Sequence, residues 1–80
     1  MRVRVRFFAS VREMIGLSEE EVVVPAGLTI ASLIERLKDY NEPLRHMRTL
    51  LVAVNGEFAD AEHGLEEGDV VALFPPVSGG

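Results

Sequence analysis

Cysteine is absent from the 80 residues, which excludes disulfides, thiolate metal sites and side-chain thiol nucleophiles together. Long apolar runs are absent too, and none approaches the ~20 residues that a bilayer-spanning helix needs. The opening residues, Met1-Arg2-Val3-Arg4-Val5-Arg6, alternate instead of forming the continuous apolar stretch of a secretion signal. A cytoplasmic protein without membrane contact is therefore expected. Positive charge is missing from the C-terminal part, where Arg48 is the last cation and Glu57, Asp60, Glu62, Glu66, Glu67 and Asp69 stand unbalanced. Such a surface repels phosphodiester backbones, so nucleic acid is not expected as a partner. It either attracts a basic protein surface or serves solubility alone.

Familiar catalytic patterns are missing as well. His46 and His63 have no histidine or cysteine at ligand spacing, so no metal site is expected. None of Ser10, Ser18, Ser32 and Ser78 has the glycine on both sides that a nucleophile elbow needs, and no phosphate loop is present. The acid clusters Glu19-Glu20-Glu21 and Glu66-Glu67 read as solvated faces rather than an acid–base pair. A chain of this length has room for one modest core and little for a deep cleft, so it is not expected to act as a catalyst alone.

What is present describes one globular domain: 48% hydrophobic and 26% charged residues, without repeats or linkers. The net charge of −5 is unevenly spread, since residues 1–18 hold four Arg against Glu13 while the acids are concentrated after them. Arg2, Arg4 and Arg6 alternate with Val3, Val5 and Phe7, the period of a strand with one face in a core. Ser10 to Gly16 reads as a turn or single helical turn stopped by glycine. Glu19 to Val24 gives a second strand, its acids lying across from the arginines of the first.

Thr29 is a candidate N-cap, followed by Ile30, Leu33, Ile34 and Leu37 at the i, i+3, i+4, i+7 spacing of one helical stripe running to about Asp39. Asn41-Glu42-Pro43 ends that helix and starts a short turn. Leu50 to Val54 is a strand, Asn55-Gly56 a two-residue hairpin turn, and Glu57-Phe58 the start of the return strand. Val70 to Phe74, apolar at every position, is a central last strand that leaves apolar side chains on an open face. The elements predict an α+β fold, a mixed sheet of about five strands on one main helix with the first and last strands parallel neighbours. This is the β-grasp or ubiquitin-like arrangement, expected over residues 1–75, with residues 76–80 as a flexible Gly-Gly tail.

The ending Phe74-Pro75-Pro76-Val77-Ser78-Gly79-Gly80 holds the chemistry that remains. Two prolines fix φ and keep the exit extended. Gly79 and Gly80 have no side chain and can enter a slot too narrow for a Cβ. The final carboxylate is ionised at neutral pH and inert until a partner makes its oxygen a leaving group. Residues 75–80 at ~3.3 Å each reach roughly 20 Å beyond the body. Phe58 and Phe74 flank this exit and are either anchors for a partner or core residues; with Pro75, Pro76 and Val77 they form the candidate partner-binding set.

Val5-Arg6-Phe7-Phe8-Ala9, Arg12-Glu13, Val54-Asn55, Gly68-Asp69-Val70-Val71-Ala72 and the Phe-Pro-Pro-Val-Ser-Gly-Gly ending, in this order, resemble the MoaD family, the small subunits of molybdopterin synthase. The resemblance implies that Gly80 is adenylated by an ATP-using, ubiquitin-activating-like enzyme and becomes a thiocarboxylate through a sulfur donor enzyme. Gly79 and Gly80 would then thread into the synthase large subunit, where sulfur passes to cyclic pyranopterin monophosphate. No cofactor would be bound by the chain itself, ATP being used by the activating partner. The same activated end would serve a carrier for thiamine or tRNA thiolation or a modifier joined to lysines, and an idle-tailed β-grasp adaptor is the remaining alternative.

Overall fold

The computed structural model describes residues 1–76. Val77, Ser78, Gly79 and Gly80, and with them most of the expected tail, lie outside the described residues. The elements are β1 (Arg2–Phe7), α1 (Ala9–Ile15), β2 (Glu19–Val23), α2 (Ile30–Tyr40), a 3₁₀ segment (Glu42–His46), β3 (Leu51–Val54), β4 (Glu57–Phe58) and β5 (Val70–Phe74).

The strands form one mixed sheet in the order β2-β1-β5-β3-β4. β1 and β5 are parallel neighbours, and every other pairing is antiparallel. A parallel pair needs a long crossover, and α2 lies within the chain that connects them. The mixed β-grasp sheet expected from the pattern is the one observed.

Alternation decides the two faces. Val3, Val5 and Phe7 of β1 are at most 1% exposed, while Arg2, Arg4 and Arg6 face outward. On β5, Val71 and Leu73 are fully buried, and Val70, Ala72 and Phe74 are half-buried on the opposite face. The inner face packs on Ile30, Leu33 and Leu37 of α2 and on Val11, Leu44 and Leu65. Ile34, expected on the helix stripe, is only partly buried and packs at the core's margin. The Thr29 hydroxyl oxygen accepts from the Ser32 backbone N–H at 3.2 Å, so Thr29 is the N-cap that the sequence implied.

Two details go beyond the sequence reading. Residues 9–15 form a true α-helix, longer than a single turn, because Val11 is wholly buried and ties the segment to the core. Gly16 ends it at φ 84°, its N–H donating to the Arg12 carbonyl at 2.8 Å. Asp69 is not on an acidic surface, being 8% exposed. Its carboxylate accepts from Asn55 Nδ2 at 2.9 Å and from the Glu66 N–H at 2.8 Å, while Asn55 Oδ1 accepts from the Val70 N–H at 3.0 Å. A buried carboxylate needs such partners, and this set fastens the β3–β4 turn to the start of β5. Asn55 and Gly56 have φ values of 51° and 87°, the left-handed pair a two-residue hairpin turn demands. Asn55 is therefore a turn residue, as the sequence implied, and also a clamp between the turn and β5.

Candidate docking face and the root of the tail

The helices cover one face of the sheet and leave the other open. Strand register sets out that open face level by level. Glu19, Arg6, Ala72, Ala53 and Phe58 are successive cross-strand partners from β2 to β4. At the next level toward the tail, Phe74 is paired with Leu51. Phe8 extends β1 by one residue in a β conformation, and its N–H donates to the Leu73 carbonyl at 3.1 Å. That bond sets the Phe8 ring beside the last residue of β5.

Three aromatic rings consequently meet where the chain leaves the domain. Phe8 and Phe74 are stacked, with centroids 4.9 Å apart and planes 18° from parallel. Phe58 meets Phe74 at 6.3 Å in a tilted arrangement. Both geometries suit the ring quadrupoles. Phe58 is 77% exposed and so is not a core residue. Phe74 is half-buried, on the open face and not the inner one. Pro75 is half-buried and Pro76 exposed directly after it, so four of the five residues expected to bind a partner lie together or in direct succession. Val77, the fifth, lies outside the described residues, as do Gly79 and Gly80.

The sequence reading missed Phe8 and Arg6. Phe8 continues the outward parity of Arg2, Arg4 and Arg6, so an apolar ring at an outward position was the available signal. The Arg6 guanidinium lies over the Phe8 ring, 5.2 Å from its centroid, within the range of a cation–π contact. Arg4 is engaged within the sheet, with Glu19 and Glu21 of β2 each at 3.8 Å, the cross-strand pairing foreseen from the charge pattern.

Chemically this face can bind and position. Among the described residues no group of three or more His, Asp or Glu side chains is placed to hold a metal ion. His46 and Glu42, both exposed, lie 3.6 Å apart on the 3₁₀ segment, and His63 sits in a separate exposed turn. No helix among the described residues is long and apolar enough to cross a membrane.

A mixed five-stranded sheet packed on α2, with an aromatic corner on its open face, defines the class: a protein of the ubiquitin-like β-grasp fold. Within that class the chain belongs to the ThiS family, whose model matches residues 5–80. It is 36% identical to the molybdopterin synthase sulfur carrier subunit of Escherichia coli K12, over 98% of this chain and 99% of that one. A Pyrococcus furiosus protein described as molybdopterin converting factor subunit 1 superposes with a TM-score of 0.89 at 34% identity, covering 96% of this chain and 99% of that one. The Haloferax volcanii small archaeal modifier protein 1 gives 0.84 at 27% identity, with 95% and 98% covered.

Proposed function

We propose that the chain is the sulfur carrier subunit of a molybdopterin synthase, acting in the cytoplasm through its C-terminal glycine. The Gly80 carboxylate attacks the α-phosphorus of ATP on a ubiquitin-activating-like enzyme, giving an acyl-adenylate and pyrophosphate. Sulfide (HS⁻) released by a donor enzyme then attacks the acyl carbon and displaces AMP, leaving a thiocarboxylate. A protein without cysteine thus carries a nucleophilic sulfur. The body docks on the synthase large subunit by its open face, Gly79 lets the end thread into the partner, and the sulfur attacks cyclic pyranopterin monophosphate, after which water cleaves the acyl C–S bond, leaving sulfur on the pterin and Gly80 as its carboxylate.

The observation that supports this reading best is the stacked Phe8–Phe74 pair with Phe58 beside it, at the root of the tail. An aromatic cluster on an open sheet face has the composition of an interface centre. Its position lets one docking event fix both the body and the direction of the tail. Full-length similarity to a sulfur carrier subunit points the same way.

Similarity to a small archaeal modifier protein favours one second reading, conjugation of the same glycine to lysines. Intact mass of the protein isolated from its native cell separates the two. Replacement of one terminal oxygen by sulfur, with sulfur transfer to the pterin precursor on adding the large subunit, is the expected result. Covalent ladders on other proteins without a thiocarboxylate form would overturn it in favour of the modifier.

A further inference from the structure

Three arginines face outward from β1, and they are not equivalent. Arg4 is held by two carboxylates of β2. Arg2 sits across from Val23, at the end of β1 farthest from the tail. Arg6 is paired in register with Glu19, yet the Glu19 carboxylate is drawn to Arg4 at 3.8 Å. Among the described residues Arg6 makes no ion pair within 4.0 Å, and its guanidinium lies on the Phe8 ring instead.

A guanidinium laid on an aromatic ring is oriented and partly stripped of water on one side, while its N–H edges stay free to grip a carboxylate with two bonds. Arg6 also borders the smallest side chains of its level on the open face. At its level the sheet continues with Ala72 and Ala53, the latter 7% exposed, before rising again at Phe58. The level thus reads cation, two small residues, aromatic. The complementary surface is an apolar projection seated over the two alanines, flanked on the β1 side by an acid.

We infer that Arg6 is a specificity-determining residue of the docking face, and that it receives an Asp or Glu carboxylate of the synthase large subunit. The inference rests on the proposed pairing with that subunit. It also separates two roles of charge. The acids of residues 57–67 act at a distance on encounter, whereas Arg6, beside the aromatic cluster, is covered on docking and acts on how long the complex lasts. Pairs that lose water at an interface control dissociation more than association.

The test uses the full chain and the large subunit encoded in the same genome, with binding kinetics measured at low and physiological salt. Arg6→Glu should raise Kd at least ~30-fold, mainly through faster dissociation, because it removes the pair and sets two anions together. Arg6→Lys keeps the charge but not the planar fork, and should lose about three- to tenfold. The melting temperature should stay close to the parent's for Arg6→Lys and fall only modestly for Arg6→Glu, which sets a second acid opposite Glu19, since the side chain is exposed. Replacing large-subunit Asp and Glu residues singly by Lys should reveal one change that restores binding of the Arg6→Glu chain. A purely structural arginine would not give that rescue. If Arg6→Glu binds within about twofold of the parent while Phe58→Ala binds poorly, the docking face stands and the role of Arg6 is overturned. If the parent chain does not bind the large subunit at all, the proposed pairing fails and this inference with it.

Discussion

Replacing Phe58 by alanine separates binding from folding more cleanly than any other change on the open face. Phe58 belongs to the two-residue edge strand β4 and is 77% exposed, so truncation leaves no sealed cavity. What folding loses is chiefly the tilted contact with Phe74, an aromatic pair worth ~0.5–1.5 kcal/mol when well formed. Exposure puts Phe58 at the lower end, about 0.5 kcal/mol. For a domain of this size that lowers Tm by about 2–4 °C. An aromatic anchor buried by a partner loses more, ~2 kcal/mol or above, which weakens binding roughly 30-fold. Thermal unfolding and titration against the large subunit should therefore disagree strongly for this variant. For contrast, Phe7→Ala removes a ring only 1% exposed on the other face of the sheet, and at ~3–5 kcal/mol it should reduce folding and binding together. A Phe58→Ala protein that binds within twofold of the parent would show that the partner does not cover β4, and the docking face would have to be redrawn around Phe8 and Phe74 alone.

Removing Gly80, or adding residues beyond it, should abolish sulfur transfer with no change in melting temperature, and a truncated chain that still sulfurates the pterin would refute the tail's role. Gly79→Ala should dock at the parent's rate and fail in adenylation and transfer, as followed by pyrophosphate release and product formation. Asp69→Ala strips acceptors from Asn55 Nδ2 and the Glu66 N–H, and should cost ~1–3 kcal/mol, seen as a Tm loss of ~4–8 °C per kcal/mol, without weakening binding by the folded fraction. Glu66→Gln with Glu67→Gln should slow association several-fold at low salt and leave dissociation unchanged. At physiological salt, where exposed charges are screened beyond ~8 Å, the effect should shrink.

Local pattern in the sequence was enough to determine the inner face of β1, most of the stripe and the cap of α2, and the Asn55-Gly56 turn. In each case one strand or helix period, or one turn's backbone demand, is satisfied by neighbours in the chain. The same holds for the exclusion of thiol chemistry and for the Gly-Gly ending. Phe58 was ambiguous because a two-residue strand has no period from which to read a face. The helical span of α1 depended on Val11 finding a core, and Asp69 looked like surface charge because Asn55, its partner, is 14 positions away. The docking face was only partly legible: Phe58 and Phe74 were placed at the exit from the sequence, whereas Phe8 and Arg6 needed the tertiary structure. Phe8, Phe58 and Phe74 come from three separate parts of the chain, and only the parallel pairing of β1 with β5 and the hairpin beside it bring their rings to one corner. Periodicity tells which side of its own strand a residue faces; which strands become neighbours is decided by long-range burial of the whole inner face, and the open face takes its composition from that outcome.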